Sequence, residues 1–119
     1  MNSESPVQQQ IDDAVVEHYF NGGGGTTAAS MSMMAHGHNL PLSAIAQRLA
    51  KEQRTIREWL DAVDYSGKVL DVGCGAGAWV EIFANRYDSV IGIERSQLMV
   101  EAAKSRIAHL SNAEIITGD

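Results

Sequence analysis

The sequence is short of several residue types, and each shortage excludes a class of protein. It has one cysteine, Cys74, so it cannot build an internal disulfide framework, and it suits a reducing compartment. It has no apolar run near the ~18 residues that a membrane span requires. Its first ten residues lack the basic and apolar regions of a secretion signal. We therefore expect a cytoplasmic protein with no membrane partner.

A surplus of positive charge is also missing. The formal net charge is −6, and acidic side chains outnumber basic ones both before and after residue 67. Such a chain has no electrostatic attraction for nucleic acid or for an anionic membrane. We expect no nucleic-acid partner, and 119 residues are enough for one small domain with a core.

The first part of the chain predicts helices. Pro6 suits a first helical position, and apolar residues at helical spacing predict an amphipathic helix over 6–20, which the glycines at 22–25 end. Residues 26–41 contain three methionines and a polar turn at 36–39. The simplest interpretation of the methionines is that they fill the core, and the alternative is that they line a pocket.

Residues 42–63 have a strong helical pattern with two interpretations. One is a single helix of about six turns. The other is a helix-turn-helix, although Ala50 stands where the turn usually has glycine. Basic and acidic side chains balance along the segment, which leaves no basic face for DNA. A helical lid or docking element is the preferred interpretation.

From Lys68 onward, strands and helices alternate. The pattern predicts strands at Lys68–Val72, Ser89–Ile93 and Ala113–Thr117, with helices over 76–86 and 96–110 and Ser96 as the second helix's N-cap. This order predicts an α/β fold with a Rossmann-like βαβαβ parallel sheet of three strands. The aliphatic first strand should be buried on both faces. We place the domain boundary between residues 64 and 65, after an all-helical segment.

A glycine turn follows the first predicted strand. Glycines at 73, 75 and 77 allow positive φ and let a ligand approach the backbone N–H groups. The spacing also satisfies the dinucleotide fingerprint G-x-G-x-x-[GA], so NAD-type binding is one interpretation. However, Asp71 lies inside the strand, where a dinucleotide fold has an apolar residue. A carboxylate there needs a positive or donor group, which the amino group of an amino-acid ligand would supply.

Three motifs resemble those of the class I S-adenosylmethionine-dependent methyltransferases. VLDVGCGAG at 69–77 resembles the first motif of that family, GIERS at 92–96 the second, and TGD at 117–119 the start of the third. The resemblance covers 68–119. It implies S-adenosyl-L-methionine as cofactor and transfer of its sulfonium methyl to an acceptor by in-line displacement. Helices before such a core would cover the acceptor, which favours a small molecule.

The resemblance also assigns roles to single residues. Asp71 and the three glycines would face the methionine part of the cofactor. Glu94 would hold the ribose hydroxyls, because a carboxylate can accept two hydrogen bonds from a diol. Leu98 and Met99 would pack on adenine, and Asp119 would accept from its amino group. The predicted cofactor-binding residues are Asp71, Gly73, Cys74, Gly75, Gly77, Glu94, Arg95, Leu98, Met99 and Asp119.

Simpler roles exist for some of these residues. Glu94 and Asp119 could be solvated residues at strand ends, and Met99 could belong to the helix core. A catalytic role for Cys74 is not expected, and no catalytic residue is assigned. The four histidines, at 18, 36, 38 and 109, lack metal-ligand spacing, so no metal site is expected. His36 and His38 could act as a base near a substrate, but a polar turn explains them equally well.

The sequence ends directly after the third predicted strand. In the resembled family the sheet order is 3-2-1-4-5, which makes the first strand central and would leave its edge uncovered here. We expect a truncated fragment, and the alternatives are completion by a partner or N-terminal helices that cover the edge. Self-association through that edge is a further expectation. It belongs to an alternative function, a non-catalytic helical interaction module with a remnant cofactor fold.

Overall fold

The computed structural model describes Ala14 and residues 41–119. The predicted helix over 6–20 and the methionine-rich segment therefore lie outside the described residues, apart from Ala14 and Pro41. The elements are α1 (Leu42–Thr55), α2 (Arg57–Ala62), β1 (Lys68–Val72), α3 (Ala78–Ala84), β2 (Ser89–Glu94), α4 (Gln97–Ile107) and β3 (Ala113–Thr117). No described helix is long and apolar enough to cross a bilayer.

The predicted α/β sheet is confirmed. The three strands are parallel and lie in the order β1-β2-β3. In the register of the sheet, Leu70 lies beside Ile91, and Ile91 lies beside Glu114. This order brings the carboxyl ends of all three strands to one edge of the sheet, where parallel α/β sheets bind ligands.

Helices α1 and α2 correct both interpretations of residues 42–63. The helix breaks only at Ile56, whose φ of −105° and ψ of 14° are not helical. The Ile56 N–H still donates to Glu52 O at 3.2 Å, and Ile56 O accepts from Leu60 N at 3.1 Å. The segment is thus neither one continuous helix nor a helix-turn-helix, because a helix-turn-helix needs a turn of roughly three to four residues.

The core lies between the sheet and helices α3 and α4, which both pack on the same face. Its buried residues are Val80, Ala84, Val90, Val100, Ala103, Ile107 and Ile115. Gly92 in β2 permits the close approach, because a Cβ there would lie 2.8 Å from Cys74 Sγ and 2.9 Å from Val80 Cγ2. Tight packing of this kind leaves little room for added volume.

The opposite face of the sheet is open in the described part of the chain. Leu70 is 59% exposed and Val72 is 69% exposed, and Ile91 and Ile116 are exposed beside them. The expectation that β1 is buried on both faces is therefore wrong for these residues. The physical reason is that α3 and α4 cover only one side of the sheet.

Tyr87 joins α2 to the α/β core. Its hydroxyl donates to Leu60 O at 2.6 Å, and its ring centroid lies 6.1 Å from that of Tyr65. Arg86 forms an ion pair with Asp61, and its guanidinium lies 5.8 Å from the Tyr65 ring centroid. These contacts hold the end of α2 against the segment between α3 and β2.

Candidate functional site

The turn after β1 is held in an unusual backbone conformation. Gly73, Gly75 and Gly77 have φ values of 73°, 57° and 83°, a region that side chains disfavour. The N–H groups of Gly73 and Cys74 both donate to Ile93 O, at 2.8 and 3.0 Å. The turn is therefore fixed to the end of the neighbouring strand.

The three glycines have different surroundings. A Cβ added to Gly73 or Gly75 would meet no atom of the described residues within 4 Å, so in this part of the chain both border open space. A Cβ on Gly77 would lie 3.0 Å from Ala103 Cβ and 3.2 Å from Ala103 Cα. Gly73 and Gly75 thus leave room for a ligand, whereas Gly77 permits close packing of the turn on α4.

Glu94 connects the turn to the start of α4. Its Oε1 accepts from Gly75 N at 3.0 Å, and its Oε2 accepts from Ser96 N at 2.8 Å. A carboxylate has about four lone-pair positions, so each oxygen can accept one more hydrogen bond. Glu94 is half-buried at the border of the open space. The side chain is both a structural bridge and an available acceptor.

Asp71 is half-buried in β1 beside this bridge. Burial raises the pKa of its carboxyl, and the negative charge of Glu94 raises it further. No cation or hydrogen-bond donor among the described residues offsets these two effects. The pair makes this part of the site strongly negative, so a cationic group would be stabilised there.

Cys74 is a protonated thiol. Burial, followed by the charges of Asp71 and Glu94, raises the pKa of Cys74 to about 12. Since the thiolate is the reactive form, this sulfur is not a nucleophile at neutral pH. Its Sγ donates weakly to Gly75 O at 3.7 Å. The side chain fills space below the turn.

The remaining predicted residues follow β2 and β3. Leu98 is 43% exposed, whereas Met99 is 1% exposed and packs with Ala76 and Ala102. Asp119 lies beside Arg95, with 3.5 Å between Asp119 Oδ1 and Arg95 Nε. Met99 therefore lies in the core, whereas Arg95, Leu98 and Asp119 are exposed and follow the carboxyl ends of β2 and β3.

A second cavity was not predicted from the sequence. We call it the α1 groove; it has a volume of about 560 Å³, and its described lining residues are Arg48, Lys51, Glu52, Thr55, Ile56 and Trp79. The signal was present in part, because residues 48, 51, 52 and 55 have the spacing of one helix face. That Trp79 lines the same groove had no signal in the sequence. No three His, Cys, Asp or Glu side chains in residues 41–119 form a possible metal site.

Comparison with known sequences agrees with this geometry. Residues 69–119 match a family model described as a methyltransferase domain. Ribosomal RNA small subunit methyltransferase A of Mycoplasma capricolum is 33% identical over 75 residues, which are 61% of this chain and 28% of that protein. Its counterpart from Mycoplasma mycoides gives the same figures. The chain thus spans less than a third of the length of these relatives.

Comparison with solved structures supports the fold. PH0226 of Pyrococcus horikoshii is 29% identical with a TM-score of 0.53, over 61% of this chain and 35% of that one. DhpI in a complex with SAM and HEP is 25% identical with a TM-score of 0.51, over 60% and 32%. A putative methyltransferase of Bacillus halodurans, 21% identical with a TM-score of 0.51 over 58% and 30%, shares the fold alone.

Proposed function

We propose that residues 69–119, which match the methyltransferase-domain model, form the S-adenosylmethionine-binding part of a class I methyltransferase domain, and that the chain acts as the cofactor-binding half of a methyltransferase. One observation carries the proposal. Open space beside Gly73 and Gly75 is bordered by two carboxylates, those of Asp71 and Glu94. Such a site suits a ligand with a cationic part and a hydroxyl-bearing part.

The residues present fit this cofactor. Gly73 and Gly75, which have no close neighbour in the described part of the chain, leave space for it along the turn. Asp71 has no positive partner among residues 41–119, and an ammonium group would supply one. Glu94 has one free acceptor position on each oxygen, which suits the two hydroxyls of a ribose. Leu98 offers an exposed apolar surface for an adenine ring.

The same charges disfavour a dinucleotide. NAD carries an anionic pyrophosphate, which would approach the turn next to Asp71 and Glu94. The raised pKa of Asp71, caused by burial and then by Glu94, reflects how poorly this place accommodates negative charge. S-adenosylmethionine is positively charged at its sulfonium and amino groups. We therefore expect it to raise the unfolding temperature more than NAD does.

The chemistry would come from the cofactor and the positioning from the chain. When bound, S-adenosylmethionine supplies a methyl carbon: an acceptor lone pair forms the new bond, the carbon–sulfur electron pair stays on sulfur, and any acceptor proton leaves to solvent. The glycine turn and Glu94 would hold one reactant in a fixed orientation, which is the main requirement of a displacement. The protonated Cys74 takes no part. 

We propose a small molecule as the acceptor. The acidic chain and the size of the α1 groove support this choice. RNA is a second candidate, because the name of the Mycoplasma relatives specifies ribosomal RNA for those proteins. A gel-shift titration with a short RNA hairpin at low salt separates the two, and we expect no binding.

Calorimetric titration of the 119-residue chain with S-adenosylmethionine tests the proposal. Wild type should bind with a stoichiometry of one, and Glu94→Ala should bind at least tenfold more weakly. The reason is that hydrogen bonds to charged groups contribute about 1.5–3 kcal/mol each. Asp71→Ala should also weaken binding, through loss of the attraction to the ligand cation.

The matched control is Glu101→Ala. Glu101 lies on α4 and is exposed, so the substitution removes a carboxylate of the same charge from a position outside the site. Its affinity should equal that of wild type. Unchanged binding in both Glu94→Ala and Asp71→Ala would disprove the proposal, and so would the absence of saturable binding to the folded wild-type chain.

A further inference from the structure

We propose that the α1 groove binds the methyl acceptor, and that this acceptor has a planar apolar body and one anionic group. The inference deepens the proposed function and rests on it for the identity of the ligand as an acceptor. The groove itself is defined by α1 and Trp79, outside the residues that border the open space at the glycine turn.

The shape of the groove suits a small planar molecule. Its volume of about 560 Å³ lies within the range of small-molecule sites. Ile56, at the break between α1 and α2, and Trp79, on α3, supply apolar walls. The Trp79 ring packs on Phe83 with a centroid distance of 5.4 Å, which holds the indole in place. A fixed aromatic wall favours flat apolar ligands, which can stack on it.

The charge of the groove is opposite to that of the chain. Arg48 Nε lies 3.4 Å from Glu52 Oε1, so these two charges largely cancel. Lys51 lines the same groove and forms no ion pair with a described residue. The groove therefore keeps one positive charge in a chain whose net charge is −6. An anionic group on the ligand would pair with the Lys51 ammonium.

The groove and the glycine turn share one segment of chain. Trp79 lies two residues after Gly77, in the first turn of α3, and it belongs to the groove lining. A ligand against this indole would therefore contact the helix that begins at the glycine turn. This shared helix is the observation that favours an acceptor as the ligand of the groove.

Three probes of the same size test the charge requirement. They are 3-phenylpropanoate, 3-phenylpropanol and 3-phenylpropylamine, which are anionic, neutral and cationic at pH 7. The readout is the ¹H–¹⁵N spectrum of the full chain, in which the indole N–H of Trp79 reports binding and that of Trp59 is an internal reference. We expect 3-phenylpropanoate to shift Trp79 and backbone amides of 48–56, with at least tenfold higher affinity than the other two probes.

Substitution of Lys51 locates the charge. Lys51→Gln should reduce the affinity for 3-phenylpropanoate at least fivefold and leave the weak binding of 3-phenylpropanol unchanged. The matched control is Lys104→Gln on α4, which removes the same charge from an exposed position outside the groove. Equal affinities for the three probes, shifts confined to other residues, or equal effects of the two lysine variants would overturn the inference.

The outcome is separable from that of the proposed function. Probe binding is measured without S-adenosylmethionine, and cofactor binding is measured without probe. If the cofactor binds but the groove does not select the anionic probe, the inference fails and the proposed function stands. If the groove selects the anion but the cofactor does not bind, the role as acceptor site fails together with the proposed function.

Discussion

At the scale of single residues, the main feature of the site is the repulsion between two neighbouring carboxylates. Asp71 and Glu94 are both half-buried and repel each other, and in the described part of the chain only Glu94 receives hydrogen bonds. Burying a charge without a partner costs stability. Sites of this kind are typical of ligand binding, where the missing partner arrives with the ligand.

Asp71→Asn should therefore stabilise the unliganded chain and weaken cofactor binding. The folded pKa of Asp71 is raised above the ordinary value of 3.8, so the ionised group destabilises the fold at neutral pH. As the pH falls through the raised pKa toward 3.8, the folded chain takes up the proton first, and the destabilisation disappears. The unfolding temperature of the variant should exceed that of wild type at pH 7, and the difference should shrink in acid.

Thermal unfolding followed by circular dichroism between pH 4 and 8 measures this effect. Asp88→Asn is the matched control, because Asp88 is exposed in the loop before β2. A variant Asp71→Asn that is less stable than wild type at pH 7 would contradict the prediction. Such a result would mean that the carboxylate has a stabilising partner.

Gly92→Ala should destabilise the fold without touching the ligand space. The added Cβ would lie within 3.0 Å of Cys74 Sγ, Val80 Cγ2 and Ile115 Cδ1, in the packed core. Overpacking of this kind costs about 1–3 kcal/mol in the free energy of unfolding. Urea denaturation measures it.

Gly118→Ala is the matched control for this substitution. Among the described residues, a Cβ there would meet only Ile93 Cγ2, at an ordinary contact distance of 3.7 Å. We expect its free energy of unfolding to stay within about 0.5 kcal/mol of wild type. Equal stability of the two alanine variants would show that the core at Gly92 yields easily.

At the scale of elements, hydrophobic pattern predicted most of the sheet. The bounds of β1 and β3 agree with the sequence prediction, and Ser96 caps α4 by accepting from Met99 N at 3.4 Å. These elements are specified locally, by apolar runs between turn residues. The helix predicted over 76–86 begins only at Ala78, because Gly77 has a φ of 83° that no helical residue adopts, and it ends at Ala84.

The break at Ile56 could not be read from the sequence. No glycine or proline marks it, and the apolar spacing continues through it. The following helix turns its end toward the core, where Leu60 O accepts from the Tyr87 hydroxyl. A contact between residues so far apart in sequence competes with local propensity and has no periodic signal.

Tyr87→Phe tests how firmly α2 is attached. The substitution removes the 2.6 Å hydrogen bond to Leu60 O and keeps the ring. We expect a loss of about 1 kcal/mol in the free energy of unfolding. Amide hydrogen exchange should also become faster in 57–62 than in the sheet.

Tyr65→Phe provides the comparison, because the Tyr65 side chain is exposed and its hydroxyl has no partner among the described residues. It should leave both the stability and the exchange of 57–62 unchanged. Equal exchange in the two phenylalanine variants would mean that α2 is held by its other contacts, such as the ion pair of Asp61 with Arg86.

At the scale of the whole molecule, the candidate site depends on adjacency that the sequence predicted only in outline. The alternation of strands and helices places β1 beside β2, and this brings the glycine turn to Glu94. The double role of Glu94 as bridge and acceptor could not be predicted from the sequence, because side-chain hydrogen bonds depend on exact interatomic distances. The α1 groove was even less predictable from the sequence, because it depends on the position of α1 relative to Trp79.

The free edge of β1 leads to a prediction about self-association. We expect the 119-residue chain to self-associate through the free edge of β1, because in the described part of the chain this strand pairs only with β2. Leu70 and Val72 add exposed apolar surface at that edge. Unpaired strand edges with apolar side chains promote association with a second copy.

Sedimentation velocity over a hundredfold range of concentration measures this association. The double variant Leu70→Lys with Val72→Lys should shift the chain to monomer, since lysine on an edge strand prevents pairing. Val63→Lys, at an exposed apolar residue outside the sheet, should not. A wild-type chain that stays monomeric at every concentration would refute self-association.

The half-buried thiol of Cys74 has a practical consequence. Since its pKa of about 12 keeps it protonated, alkylating reagents should modify it only when the turn above it opens. Because it is the sole cysteine, the rate of its alkylation, measured by mass spectrometry without any added label, reports how often the turn opens. A ligand that covers Gly73 and Gly75 should lower the rate of Cys74 alkylation. The molecule thus carries its own reporter of site occupancy.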